Sequence, residues 1–120
     1  MWTKLWINNM ANHWAHNMKL SLGYMTFPTK AEAQNTVLAL LEEQLIACAN
    51  LMPGAESLFV WEGQIQKANE VIVFFKTRRK NEDKIVKLVK QLHSYETPCV
   101  VFTAIENGNP HFMDWVEGAC

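Results

Sequence analysis

The sequence predicts an α+β domain of the ferredoxin-like type, a sandwich in which two split β-α-β halves share one antiparallel sheet and a short C-terminal helix follows. Three observations predict it. The 120 residues suit one domain and are too few for two. Hydrophobic residues make up 49% of the chain, which is enough for a core. The apolar patterns alternate in the order strand-helix-strand, strand-helix-strand, helix, without a tandem repeat.

The first half begins with a strand, Leu20–Phe27, which Pro28 ends. Thr29 and Glu32 then form a capping box, because a Thr side chain accepts from an early backbone N–H and a Glu three residues later reaches back. The helix is predicted to run to about Ala47. Its apolar stripe recurs every four residues, at Ala33, Val37, Leu41 and Leu45.

The apolar patterns of the next two strands are less regular. Cys48–Glu62 is one long strand region interrupted by Pro53-Gly54, where a kink or bulge is expected. Gly63 suits a chain reversal. The continuous apolar run Val71–Thr77 predicts a strand that is covered on both faces.

The second helix and the last elements follow the same logic. Asn81 is predicted as an N-cap, and Cys99–Ile105 as the fourth strand. Asn109 caps the last helix, with Pro110 at its first position. The buried stripe of the second helix is predicted as Ile85, Leu88, Val89 and Leu92, and that of the last helix as Phe112, Trp115 and Val116.

Composition limits the partners. The chain has 11 basic and 12 acidic residues, so it lacks the basic surface that nucleic-acid binding needs. Charged residues make up 19%, below the roughly 25% of soluble domains, which suggests a surface covered by another subunit.

No apolar run is long enough to span a membrane or serve as a secretory signal. Three cysteines without CxxC spacing favour free thiols and a cytoplasmic location.

Residues 1–18 differ from the rest of the chain. Trp2, Trp6, Met10 and Trp14 stand four residues apart and could line one helix face, but asparagine-rich surroundings disfavour a helix. We interpret the segment as an accessory or non-native extension, with a docking helix as the alternative. Residues 19–120 then form the single domain.

Catalytic signals are weak, which favours a protein that is not an enzyme. The sequence has no G-x-S-x-G elbow and no glycine-rich phosphate loop. Cys48 lies among apolar residues, as a packed side chain would rather than an activated thiolate. No cofactor is expected to be required.

One segment could bind a metal ion. His93, Glu96 and Cys99 fall within seven residues, and imidazole, carboxylate and thiolate donors suit zinc or copper. The spacing matches no standard closed site, so a histidine that hydrogen-bonds locally is the alternative. A second pair, His13 and His16, lies in the extension.

Six short motifs resemble the CutA family of divalent-cation tolerance proteins in order and spacing, from about Leu20 to Val116. They are Ala47-Cys48-Ala49-Asn50, Pro53-Gly54, Trp61-Glu62-Gly63, Lys76-Thr77, His93-Ser94-Tyr95-Glu96-Thr97-Pro98, and Gly108-Asn109-Pro110 with Trp115. The resemblance implies a ferredoxin-like subunit in a tight homotrimer whose sheet edges meet between subunits. It also implies a link to tolerance of copper and other divalent ions, without an established reaction.

The resemblance implies a metal set with two departures. Met25 stands where some bacterial relatives carry a metal-binding cysteine, and Cys99 stands where they carry an acidic ligand. The implied ligands are therefore Met25, His93 and Cys99, and their soft donors suit Cu(I) better than zinc.

Two functions remain open. The first is a metal-binding tolerance protein that binds copper or another divalent ion. The second follows from a similarity in architecture to the PII signalling trimers, which bind small ligands between subunits. In that case a small organic ligand, an anion among the options, would bind in an intersubunit cleft lined by Trp61, Lys76, Tyr95 and Glu96.

Overall fold

A computed structural model describes residues 19–120, so the predictions for the first eighteen residues lie outside it. Four strands form one sheet in the order β2-β3-β1-β4, and every neighbouring pair is antiparallel. This arrangement confirms the predicted α+β, split β-α-β fold. The elements are β1 Leu20–Phe27, α1 Lys30–Glu42, β2 Cys48–Trp61, β3 Gln64–Arg78, α2 Glu82–Leu92, β4 Val100–Ala104 and α3 Pro110–Ala119, with a 3-10 turn at Arg79–Asn81.

The main core lies between one face of the sheet and the helices α1 and α2. Alternate residues of the central strands point into it, and Met25 pairs in register with Val73. Gly23 pairs with Phe75, whose ring lies where a Cβ on the glycine would stand. The helix α3 packs instead against Leu20, on a second small core at one end of the other face. We call that other, largely uncovered side of the sheet the open face.

The β2–β3 hairpin projects beyond the rest of the domain as an arm. β1 pairs with β3 only as far as Val71, whereas β2 and β3 stay paired to the turn. The turn residues Glu62 and Gly63 have φ angles of 51° and 77°, as a two-residue type I′ turn requires. Because of the arm, the radius of gyration is 16.6 Å, against about 14 Å for a compact chain of this length.

Local details differ from three sequence predictions. The helix α1 ends at Glu42 rather than near Ala47, because Gln44 adopts φ 56° and the Leu45 N–H donates to the Leu40 carbonyl at 2.9 Å. The strand β3 begins seven residues before the apolar run, since its polar part pairs with β2 in the arm. The strand β4 is one residue shorter at each end than predicted.

Side-chain predictions at all three helices were partly wrong. Asn81 lies at the N-cap position of α2 as predicted, but its side chain makes no capping bond; its amide donates to the Leu45 carbonyl at 3.3 Å and so ties the turn to the loop after α1. Leu41 of α1 and Leu92 of α2, expected in the buried stripes, are exposed. In α3 the buried residues are Met113 and Val116, while Phe112 and Trp115 are exposed. The bulge at Pro53-Gly54 and the Asn109 cap are confirmed. Within the described residues, no helix is long and apolar enough to cross a membrane.

Candidate functional site

A groove of about 750 Å³ lies on the open face at the base of the arm. The strand β1 contributes Tyr24 and Thr26 to its floor, because these residues alternate with core-facing neighbours. The arm provides one wall, and the loop between α2 and β4 provides the other. The remaining lining residues are Ala55, Glu56, Ser57, Leu58, Phe59, Val60, Trp61, Glu70, Ile72, Tyr95, Thr97 and Cys99.

Glu70 is the buried charge of the groove, with 8% of its surface exposed. It pairs with Ala55 directly after the bulge in β2, where the arm leaves the sheet. The Tyr95 hydroxyl donates to its Oε2 at 3.0 Å. Within residues 19–120 its Oε1 has no hydrogen-bond partner and the carboxylate has no cationic partner.

Three acids around Glu70 are held in their neutral forms. Cys99 is exposed, but partial desolvation in the groove and the negative charge of Glu70 raise the pKa of its thiol. Burial, the hydrogen bond to Glu70 and nearby negative charge raise the pKa of Tyr95 to about 12. The pKa of Tyr24 is raised too, first by burial and then by Cys99 and Glu70. The groove is therefore a region of negative potential in which no activated thiolate is expected.

His93 fixes the loop that carries Tyr95. Its side chain is buried and stacks on Phe27 with ring centroids 4.6 Å apart. Its Nδ1 accepts from the Tyr95 N–H at 3.0 Å, and its Nε2 lies 2.7 Å from the Thr26 carbonyl oxygen. Since Nδ1 accepts, the neutral Nε2–H tautomer satisfies both contacts. Glu32 adds a third tie by accepting from the Ser94 N–H at 3.1 Å.

The structure does not bring Met25, His93 and Cys99 together. Met25 lies in the core and pairs with Val100, which packs on the same core, so the adjacent Cys99 turns to the open face. Both ring nitrogens of His93 are engaged in hydrogen bonds. Only Cys99 therefore faces the groove. Across the described part of the chain, no three His, Cys, Asp or Glu side chains form a cluster that could hold a metal ion.

Two of the four residues predicted for a ligand cleft line the groove. Trp61 and Tyr95 do so, whereas Lys76 and Glu96 do not. The Lys76 Nζ donates to the Asn50 Oδ1 at 2.8 Å, farther along the sheet. Glu70 was not predicted from the sequence; its one local signal is an acidic residue directly before the apolar run of β3.

The fold and the groove define a small ferredoxin-like domain with an acidic groove beside a projecting hairpin. The family model described as CutA1 divalent ion tolerance protein matches residues 21–119. The chain belongs to this CutA1 family.

Relatives and solved structures agree with the family match. A divalent-cation tolerance protein CutA from Archaeoglobus fulgidus is 40% identical over 94 residues, which cover 78% of this chain and 91% of that protein. A structure described as the periplasmic divalent cation tolerance protein CutA from the same organism has a TM-score of 0.80 at 38% identity, covering 83% of this chain and 97% of that one. The divalent cation tolerance protein from Thermus thermophilus has a TM-score of 0.82 at 32% identity, with coverages of 83% and 97%.

Proposed function

We propose that this protein is a non-catalytic homotrimer that binds copper or another divalent metal ion and thereby contributes to divalent-cation tolerance. The observation that carries the proposal is the CutA1 family match over residues 21–119. The named relatives are divalent-cation tolerance proteins. The Cys99 thiol on the open face and the shape of the arm support the finer parts of the proposal.

The arm supports assembly with further copies. Leu58, Val60 and Ile65 are 66%, 70% and 82% exposed. The register places Val60 opposite Ile65, so these side chains form one apolar strip on the outer side of the arm. Phe59 and Trp61 lie on the opposite side of the arm, the side that continues the open face of the sheet. A hairpin with apolar side chains on both faces is stable in water only when other surfaces cover it, and neighbouring subunits would do so.

Among residues 19–120, Cys99 is the groove-lining donor that suits a soft metal ion. A thiol binds metal as the thiolate, so its raised pKa makes metal binding release a proton and become tighter as the pH rises. One thiol is an incomplete site, and another subunit would supply the other donors. Copper, as Cu(I), is the ion that a thiolate favours.

The chemistry of the groove supports a protein that is not an enzyme, and the state of the cysteines supports a cytoplasmic location. The raised pKa of Cys99 opposes a nucleophilic thiolate, and the groove is lined by no His, Lys or Arg among the described residues. The three cysteines are free, as a reducing compartment would keep them. One relative's description names the periplasm, so fractionation of cells that express this chain is the test of location.

Native mass spectrometry of the purified protein tests the trimer and any bound metal together. A trimer with copper or another divalent ion is expected; a stable monomer would contradict the assembly.

Copper is then titrated under reducing conditions into the wild type and the Cys99→Ala variant. We expect a loss of affinity of about 10-fold or more.

The matched control is Cys48→Ala, which removes a thiol outside the groove lining. It should bind copper like the wild type. Equal binding by Cys99→Ala would remove this residue from the site.

A small organic ligand is the second candidate, favoured by the volume of the groove. About 750 Å³ lies within the range of small-molecule pockets, roughly 300 to 1,000 Å³. A metal ion alone fills little of such a space. In this case the trimer resembles a PII-like regulatory protein, whose ligand lies beside Trp61 and Tyr95.

A further inference from the structure

We propose that the outer side of α2 binds an acidic helix of a partner protein. The partner helix would insert one apolar side chain into a depression on α2 and place its carboxylates against the lysines around that depression. This inference goes beyond the proposed function, because it involves neither the metal ion nor the small organic ligand. It concerns a side of the domain that lies away from the open face and the arm.

The position of α2 decides whether this surface stays accessible. Ile85 and Val89 turn inward and belong to the main core between the sheet and the helices. Residues on the opposite side of the helix therefore point away from the sheet. The surfaces that neighbouring subunits of the proposed trimer would cover are the arm and the open face, which is the other side of the sheet. Assembly through those surfaces would leave the outer side of α2 in contact with solvent.

Positive charge is concentrated in this part of the chain. Six of the 11 basic residues fall within residues 78–90, together with two acidic residues, although the whole chain carries a net charge of −1. Lys84, Lys87 and Lys90 are exposed, and none of them makes an ion pair within the described part of the chain. The Glu82 carboxylate is engaged elsewhere, since it accepts a hydrogen bond from a serine hydroxyl of β1. A partner rich in carboxylates would meet cations that are not yet compensated.

A shallow depression of about 380 Å³ lies among these lysines. Its lining comes from α2 alone and consists of Asp83, Val86, Lys87, Lys90 and Gln91. The first four stand at positions i, i+3, i+4 and i+7. Four residues with this spacing form the hole that receives one side chain of a facing helix when two helices pack together. The half-buried Val86 supplies an apolar contact for that side chain.

The same lining favours a helix over a nucleic acid or a lipid surface. A hole among four residues of one helix fits a single side chain, whereas phosphate groups gain nothing from an apolar contact at its base. Asp83 also places a carboxylate beside Lys87 and Lys90. A continuous row of phosphates would meet that like charge, whereas a helix can present a neutral residue opposite Asp83 and glutamates opposite the lysines.

The test measures the fluorescence anisotropy of a labelled peptide with the full-length protein. The probe is a stapled helix that carries one leucine, with glutamates three and four residues to either side of it. One control peptide has glutamine in place of every glutamate, and another has alanine in place of the leucine. We expect the probe to bind, the glutamine peptide to bind about 10-fold more weakly, and the alanine peptide about fivefold more weakly. Raising the ionic strength from about 0.05 M to about 0.5 M should weaken binding of the probe, because exposed charges are screened.

Variants assign the binding to α2. Lys87→Gln combined with Lys90→Gln should weaken binding of the probe by about fivefold or more. The matched control, Lys19→Gln combined with Lys30→Gln, removes two exposed lysines outside α2 and should change the affinity less than about twofold. Asp83→Asn should tighten binding by about two- to threefold, because it removes the like charge in the depression. Circular dichroism and native mass spectrometry verify the fold and the assembly of each variant.

Three results would overturn the inference. The first is equal binding of the probe and the glutamine peptide, or no binding of either, which would leave the lysines as a solvated surface. The second is the same loss of affinity in the control lysine variant, which would indicate diffuse attraction. The third is tighter binding of a DNA duplex, or of phosphatidylglycerol–phosphatidylcholine vesicles, that depends on Lys87 and Lys90. The copper titration of the Cys99→Ala variant concerns the other side of the sheet, so the proposed metal function stands or fails separately.

Discussion

Replacing Gly23 with alanine tests how closely the central strands of the sheet pack. The new Cβ would lie closer than 3.0 Å to the Cζ and both Cε atoms of Phe75, whereas carbon atoms in contact stand about 3.5 to 4.0 Å apart. The Phe75 ring is fully buried and meets Phe102 edge to face at 5.7 Å, so it can yield only by disturbing that contact.

The magnitude follows from these contacts. Overpacking a core costs about 1 to 3 kcal/mol, and disturbing an aromatic pair adds about 1 kcal/mol. Alanine restricts the unfolded chain more than glycine does, which offsets roughly 0.4 to 1 kcal/mol. We expect Gly23→Ala to lower the free energy of unfolding by about 2 kcal/mol, within a range of about 1 to 3.5 kcal/mol. Urea unfolding followed by circular dichroism measures it, at one fixed protein concentration because assembly into the proposed trimer would contribute to stability.

Two further variants make the result specific. In Gly118→Ala the new Cβ meets no atom within 4 Å, so this helical substitution should be neutral or slightly stabilising. In the double variant Gly23→Ala with Phe75→Leu the smaller side chain leaves room, and the two changes should couple by at least about 1 kcal/mol. An unfolding free energy of Gly23→Ala within about 0.5 kcal/mol of wild type would refute the close approach of ring and backbone.

Three other predictions concern a helix end, a phenol and the N-terminus. Gln44→Gly should raise the free energy of unfolding by about 1 kcal/mol, because Gln44 has φ 56° and glycine adopts this region freely. Urea unfolding measures the change; a lower free energy of unfolding in the variant would show that the Gln44 side chain contributes more to stability than its backbone conformation costs. The folded chain holds the Tyr95 proton more tightly, to a pKa of about 12, against about 10 when unfolded. Its contribution to stability is therefore complete below about pH 10 and is lost as the pH rises from there to the folded pKa. Tyr95→Phe should remove most of this dependence of stability on pH. Because the chain has two tyrosines, the variant should also show one phenolate absorbance where the wild type shows two. A chain that begins at Met18 should keep its oligomeric state and most of its thermal stability; a loss of about 3 to 5 kcal/mol, as when a packed aromatic is deleted, would show that the segment is docked.

The fold was predictable because its signals are local. The Thr29 cap and the Asn109 cap are both present, with the Glu32 N–H donating to Thr29 Oγ1 at 3.2 Å and the His111 N–H donating to Asn109 at 3.0 Å. The turn and the bulge were predictable as well, because Gly54 and Gly63 adopt the positive φ angles that glycine permits and Pro53 fixes its own φ. The end of α1 was missed because Gln44, rather than glycine, occupies the left-handed position.

The site depends on contacts that no local pattern encodes. Glu70 and Tyr95 are 25 positions apart and meet through the register of the sheet and the path of one loop. The Glu32 carboxylate, expected to complete a capping box, instead accepts from the Ser94 N–H, 62 positions away. The predicted metal set rested on a resemblance, and the side on which each strand residue emerges depends on a register that only the structure gives.

The arm also affects the order of events during folding. Its strands are contiguous and joined by a tight turn, so the hairpin can close within microseconds once residues 48–78 are available. The strand β4, which completes the sheet beside β1, is the last of the four strands to be made. During synthesis, each new chain therefore displays an apolar ribbon with unpaired edges before the neighbouring subunits of the proposed trimer can cover it. Slow encounter would leave time for wrong pairings between ribbons, so the yield of correct assemblies should depend on how quickly new chains are produced and how far apart they are released.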